Sequence, residues 1–224
     1  MIFITGDTHV PIDMDKLFNN PLLTGNLTKN DYLIICGDFG GVWNKSKYEM
    51  ELIQLLNDLN YTILFIDGNH ENFDLLNAYP VDIFNGGNVH KISDSIYHLM
   101  RGQIFNIDGI TFFTMGGATS VDRYKRIESF DWWSQEIPTM SEYNTGLDNL
   151  DAINNNVDYI ITHAAPNTIL NKIADYYEHD SITGYLEVIK DTVNYKRWFF
   201  GHYHIDNIID NRHICMFNNV IKIM

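Results

Sequence analysis

The chain has 224 residues, 45% of them hydrophobic, enough for one well-buried core, and no Pro/Ser-rich linker or repeat divides it, so a single domain over residues 1–224 is expected. Its 15 Lys and Arg against 29 Asp and Glu leave a formal charge of −14, which opposes a long nucleic acid as partner, because a phosphate backbone needs an array of basic side chains. No stretch of about 18 apolar residues marks a membrane span and no apolar leader precedes Gly6-Asp7, so a cytoplasmic protein without membrane contact is expected. Cys36 and Cys215 lack CxxC spacing and read as buried thiols, while part of the acidity can serve to hold cations.

In chain order, Met1 to Thr5 reads as a first strand, followed at once by Gly6-Asp7-Thr8-His9. Asp7 and His9 are two apart, and in extended backbone such positions point the same way and can bind one ion. A short helix is expected over residues 13–19, then a loop marked by Pro21 and Gly25. Tyr32 to Cys36 is a second apolar run, and it delivers Gly37-Asp38. Lys45 to Asn60 carries Tyr48, Leu52, Leu55, Leu56 and Leu59 at helical spacing and leads to the next strand as a βαβ crossover would. That strand, Tyr61 to Ile66, is nearly all apolar and stops abruptly at Asp67-Gly68-Asn69-His70-Glu71, the pattern of a strand buried on both faces.

A short helix is expected over Glu71 to Asn77, before Pro80. From Asn88 to Met115 the runs VHKI, IYHLM, QIFNI and ITFFTM are β-like, and Asp108-Gly109 is a hairpin signal, so this half of the sheet is expected to be antiparallel. Gly116-Gly117 ends it, and Val121 to Pro138 reads as irregular, with Trp132 and Trp133 as core or interface residues. Ser141 to Asn155 reads as a helix opened by Ser141 and Glu142, and Asp158 to Thr162 as a buried strand ending in His163. A helix is expected over Ile182 to Lys190. Closing strands are expected at Tyr195 to Phe200, Ile205 to Ile209 and His213 to Phe217, the first ending in Gly201-His202-Tyr203-His204.

Apolar runs thus end repeatedly in Asp, Asn or His, at the strand edge where open α/β sheets bind ligands. The candidates are Asp7, His9, Asp38, Asn69, His163, His202 and His204. Carboxylate and amide oxygen mixed with imidazole nitrogen suits Mn, Fe, Zn or Ni, whereas Mg and Ca sites are normally all oxygen and structural zinc usually brings Cys. So many ligands exceed one tetrahedral ion and divide over two if one carboxylate bridges. Two ions about 3.5–4 Å apart can polarise a phosphoryl oxygen and lower the pKa of a bridging water. His90, His98, His179 and His213 read as packed or surface residues, and Gly37 and Gly68 can equally be plain turn glycines.

In these motifs the sequence resembles the calcineurin-like metallophosphoesterases. Asp7/His9, Gly37-Asp38, Gly68-Asn69-His70-Glu71, the single His163 and Gly201-His202-Tyr203-His204 stand in the family's order, each after an apolar strand, and span most of the chain. The resemblance implies an α/β fold, a two-sheet mixed β-sandwich flanked by helices. It also implies two divalent transition-metal ions, with Mn favoured: one on Asp7, His9, Asp38 and His204, the other on Asp38, Asn69, His163 and His202, Asp38 bridging. His70 would then be no ligand but the proton donor to the leaving group, a task that suits imidazole.

The departures from the family pattern are Val10, Gly41 and Val42, where many members carry Gly, Asp and Arg. Asp67 stands where the Ser/Thr protein phosphatase branch carries Arg, so that branch is not assigned. A different phosphate clamp is sought in Arg123, Lys125 and Arg126, which fall together in an otherwise acidic chain. With Val121, Tyr124 and Ile127 on one helical face, Arg123 and Arg126 would share another, and Arg126 is the candidate substrate-binding residue. The expected activity is hydrolysis of phosphate mono- or diesters on a small phosphorylated substrate. A nuclease or cyclic nucleotide phosphodiesterase shares the metal site and is the enzymatic alternative; a non-catalytic protein-binding scaffold has no need of His70 or the ligand set. Neither the substrate, the native metal nor the oligomeric state is legible.

Overall fold

The computed structural model of the chain describes residues 1–174 and 178–224. The first layer begins with β1 (Ile2–Thr5), α1 (Asp15–Asn19), β2 (Tyr32–Ile35), α2 (Lys47–Asn57), β3 (Thr62–Phe65) and the single turn α3 (Phe73–Leu76). Then come β4 (Val81–Phe84), β5 (Gly87–Ser93), β6 (Ile96–Leu99), β7 (Gln103–Ile107) and β8 (Ile110–Met115). The second half holds α4 (Met140–Ala152), β9 (Tyr159–Thr162), α5 (Asn167–Ile173), α6 (Ser181–Thr192), β10 (Arg197–Phe200), β11 (Asn207–Ile208), β12 (His213–Cys215) and β13 (Val220–Lys222). These strands make a seven-stranded sheet in the order β13-β1-β2-β3-β6-β5-β4 and a six-stranded sheet in the order β11-β12-β10-β9-β8-β7.

Side-chain alternation explains why the strands are apolar throughout. Ile2 and Ile4 of β1, Ile34 of β2 and Leu64 of β3 point inward and meet Ile161 and Phe199 of the other sheet in one buried layer. Phe3, Leu33, Ile35, Ile63 and Phe65 point outward against Leu17 of α1 and Leu56 of α2. On the far side Ile160, Trp198 and Phe200 meet Leu150 of α4 and Ile182, Leu186 and Ile189 of α6. Each fully buried side chain of this kind contributes about 1.5–3 kcal/mol. Among the described residues no helix is long and apolar enough to cross a membrane.

Several expectations are corrected here. The run from Asn88 to Met115 does not form half of one sheet: β5 and β6 lie in the first sheet, β7 and β8 in the second. Nor is it uniformly antiparallel, since β6 runs parallel to β3 and β8 parallel to β9. The Asp108-Gly109 hairpin does join β7 to β8, with both residues at positive φ as the tight turn requires. In α2 the apolar stripe is Leu52, Ile53 and Leu56, continued by Leu59 just past the helix end, while Tyr48 and Leu55 are exposed. Helix α4 is capped by Thr139, not Ser141, in a reciprocal capping box with Glu142. The strands β4 and β13 and the helix α5 have no counterpart in the sequence reading.

Candidate active site

The polar residues that follow β1, β2, β3, β9 and β10 meet at one edge of the sandwich. These strands run parallel within each sheet, so their C-terminal ends fall on the same side. The turns are strained: His9, Asp38, His202 and His204 all have positive φ, at 34°, 49°, 70° and 51°. Such conformations cost about 1–3 kcal/mol each in non-glycine residues and gather where surrounding structure holds them for a task. Glycines let the two aspartates come in close. A Cβ on Gly68 would stand 2.0 Å from Asp38 Oδ1, and one on Gly201 would stand 2.2 Å from Asp7 Oδ1, so any side chain there would displace a carboxylate.

Asp7 and Asp38 are 0% and 1% exposed. Among the described residues neither carboxylate has a Lys or Arg ion-pair partner; imidazoles surround them instead. His9 Nε2 lies 3.2 Å from Asp38 Oδ2, His163 Nε2 lies 3.3 Å from the same oxygen, and His204 Nε2 lies 3.1 Å from Asp7 Oδ2. His163 Nε2 is also 3.2 Å from Asn69 Oδ1, and the His202 ring centroid is 5.0 Å from that of His163. Ligand atoms of Asp7, His9, Asp38 and His204 all lie within 4.8 Å of one another. The structure therefore brings the ligand atoms of Asp7, His9, Asp38, Asn69, His163 and His204 together, with the His202 ring packed beside that of His163.

These groups fit divalent cations. His163 Nδ1 donates to the Cys36 carbonyl at 2.7 Å, so in the neutral ring Nε2 presents a lone pair to two oxygen acceptors. That is repulsive unless a proton or a metal ion lies between them. His9 is held likewise, with Nδ1 at 2.7 Å from Asp13 Oδ2 and Nε2 turned to Asp38. The protons show the strength of the local field. Burial by itself would lower the His163 pKa, but the charges of Asp38 and Asp7 outweigh it and push it up to about 10. Burial would raise Asp38, and the facing His163 and His9 instead hold it well below the usual carboxylate range. For His202 burial prevails, helped by His163, and lowers the pKa to about 4.

His70 sits at the mouth of this cluster. Its backbone N–H donates to Asp38 Oδ1 at 2.7 Å, and its ring centroid is 5.6 Å from that of His9. Burial lowers its pKa, against the pull of Asp38. His9, His70 and Arg126 are among the residues that line a cavity of about 490 Å³. Arg126 arrives there by a route other than the expected helical face: residues Arg123–Lys125 form a single 3₁₀ turn, and Arg123 and Lys125 are exposed. The Arg126 guanidinium is held by Asp122, Nε at 2.8 Å and Nη2 at 2.9 Å, and its Nη1 donates to the Asp131 carbonyl at 3.2 Å.

Sequence reasoning missed the supports of the site. Lys16 bridges the backbone carbonyls of Asp7 and Phe217, and Phe217 stacks on His204 with centroids 4.7 Å apart. Glu71 is fully buried and accepts from the Phe39 N–H at 2.8 Å; burial, with Asp38 nearby, raises its pKa well above the usual range. Asn69 Nδ2 donates to Ser120 Oγ at 3.2 Å, and Ser120 in turn donates to Glu136 at 2.5 Å. Asp13 could have been suspected from its four-residue spacing to His9; the Ser120 and Glu136 contacts have no local signal. Trp133 is buried, with Nε1 donating to Asp74 at 2.8 Å.

Residues 1–206 match the family described as calcineurin-like phosphoesterase. Comparison with the curated proteins gives no match.

Proposed function

Since the chain belongs to the calcineurin-like phosphoesterases, whose members depend on divalent metals to hydrolyse phosphoesters, we propose a dinuclear hydrolase of small phosphate mono- or diesters. The observation that carries this reading is Asp38: one buried carboxylate oxygen faces the Nε2 atoms of both His9 and His163, as a bridging ligand must. Asp7, His9, Asp38 and His204 would hold one ion and Asp38, Asn69, His163 and His202 the other. Bound ions supply Lewis acidity toward the phosphoryl oxygens and lower the pKa of a coordinated water.

The remaining tasks fall to side chains. His70, fixed by its N–H bond to Asp38, donates a proton to the departing oxygen. A phosphate dianion beside the ring favours the imidazolium and so offsets the burial that lowers its pKa. Arg126, which lines the same cavity as His70, grips a non-bridging phosphate oxygen. The charge of −14 favours a small substrate over a nucleic acid polymer.

Reconstitution with Mn, followed by elemental analysis and a panel of monoesters, diesters and nucleotides, tests this. About two ions per chain and turnover of at least one ester class are expected. Fewer than one ion per chain after reconstitution overturns the dinuclear reading.

A further inference from the structure

The cavity that opens beside His70 is larger and less polar than phosphate alone requires. Its volume is about 490 Å³, within the range of small-molecule sites. Besides His9, His70 and Arg126, its lining includes Val10, Pro11 and Ile12 from the loop after β1, Trp43 from the loop after β2, and Tyr48 and Leu52 from α2. Gly40 and Gly41 form part of the lining and bring no side chain into it.

The aromatic wall is built in advance. The Trp43 ring packs edge-on against Trp133 with centroids 5.3 Å apart, and the Trp43 carbonyl accepts from Asn72 Nδ2 at 2.7 Å. Trp133 is itself pinned by Asp74. Ile12 and Tyr48, by contrast, are 80% and 59% exposed, so apolar surface faces water at the rim with none of the described residues covering it. The lining charges select against a second anionic group beyond the phosphate that is hydrolysed. Among the described lining residues Arg126 is the one Lys or Arg, and it is already paired with Asp122. Glu49, also in the lining, accepts from the backbone N–H groups of Asn44 at 2.7 Å and Lys45 at 3.2 Å and keeps spare acceptor capacity. A second phosphate group lying in the cavity would meet that carboxylate without a basic partner.

We propose that this cavity holds the leaving group, and that the substrate is a phosphate ester of a neutral, ring-bearing, largely apolar alcohol. The inference rests on the proposed hydrolysis: with phosphorus at the metal ligands and the departing oxygen at His70, the alcohol extends between Trp43, Tyr48 and Leu52. Flat rings gain from stacking against the indole. Glu49 accepts a hydroxyl or ring N–H of that alcohol. Sugar phosphates leave the apolar walls unfilled, and polyphosphates are rejected by charge.

The test compares two non-hydrolysable probes, benzylphosphonate and methylphosphonate, by calorimetric titration into the Mn-reconstituted protein. Benzylphosphonate is expected to bind at least tenfold more tightly. Ile12→Asp, on an exposed side chain that does not endanger folding, and Trp43→Ala should each reduce that ratio below about threefold. Binding of the two probes within twofold of each other, or an unchanged ratio in both variants, overturns the proposal. Turnover of benzyl phosphate and glycerol 2-phosphate separates this from the broader reading. Hydrolysis of both at equal kcat/KM removes the ring preference and leaves the hydrolase; a retained tenfold binding preference with no hydrolysis of any ester removes the hydrolase and leaves the pocket.

Discussion

His163 Nε2 lies 3.3 Å from Asp38 Oδ2, and the opposite nitrogen of the same ring is tied to the Cys36 carbonyl at 2.7 Å. The ring therefore cannot turn away from the carboxylate, and the strands that carry them, β9 and β2, lie in different sheets. A cation shared by these groups would link the two sheets. Asp38→Asn should accordingly lower metal content more than His9→Asn, because Asp38 faces both groups of ligands and His9 one. Elemental analysis after reconstitution decides it. Asp13, which orients His9, should matter less: Asp13→Ala is expected to weaken apparent metal affinity about 10–100-fold while leaving kcat at saturating metal near that of the unaltered protein.

His70→Asn should retain the metal complement and lose roughly 10²–10⁴-fold in turnover, since its ring has no short contact to the carboxylates and its link to Asp38 is through the backbone. For a nitrophenyl ester the leaving group needs little protonation and the loss should shrink. An equal loss for good and poor leaving groups would remove the proton-donor role.

Each candidate ligand was legible because it follows an apolar strand directly, and strand identity and direction are local signals. Asp7, Asp38, Asn69, His163, His202 and His204 need only the period of their own strand and the turn behind it. The division into two sheets was not legible from the residues, because Val89 and Leu99 of the first sheet and Phe105 and Phe112 of the second all face the same buried layer. Alternation says that a residue is buried, not which sheet carries it. The same limit hides β13, whose place beside β1 is a pairing between the two ends of the chain. Arg126 reaches the cavity through a 3₁₀ turn and an Asp122 ion pair, where a helical wheel has no meaning.

Arg126→Ala should lower kcat/KM for every ester hydrolysed by about tenfold, the loss of one charge-assisted hydrogen bond to the phosphate. Arg126→Lys should recover little, because the Nε and Nη2 pairing with Asp122 that positions the fork has no equivalent in an ammonium. Asp122→Asn should reproduce part of the loss with the positive charge intact. Lys125→Ala, on an exposed side chain, should stay within about twofold. Unchanged kcat/KM in Arg126→Ala would place phosphate recognition elsewhere.

A buried chain of polar groups beneath the Gly68 turn governs stability. Arg101 donates to Asp67 Oδ2 through Nε at 2.9 Å and Nη2 at 2.6 Å, and both residues are buried. Removing the cation leaves a buried carboxylate with only the His98 contact, so Arg101→Met should cost about 3–5 kcal/mol in denaturant unfolding. Histidines continue the chain: His98 Nε2 is 3.1 Å from Asp67 Oδ1, and His98 Nδ1 is 3.0 Å from His90 Nδ1. If His98 donates to the carboxylate, His90 must donate to His98. Burial, with His98 beside it, lowers the His90 pKa to about 4. The unfolded chain takes up a proton at this residue below about pH 6.5, and the folded chain refuses it until about pH 4, so stability falls as pH drops through that window. Asp67 acts lower: burial would raise its pKa, Arg101 and His98 depress it, and its contribution is lost only as pH falls below about 4. His90→Asn keeps an N–H for His98 and removes the titration, so the difference in unfolding free energy between variant and unaltered protein should change between pH 6.5 and 4.5 and stay flat above pH 7. Parallel curves across the lower window would show that the folded and unfolded chains take up this proton together, so that folding does not lower the His90 pKa.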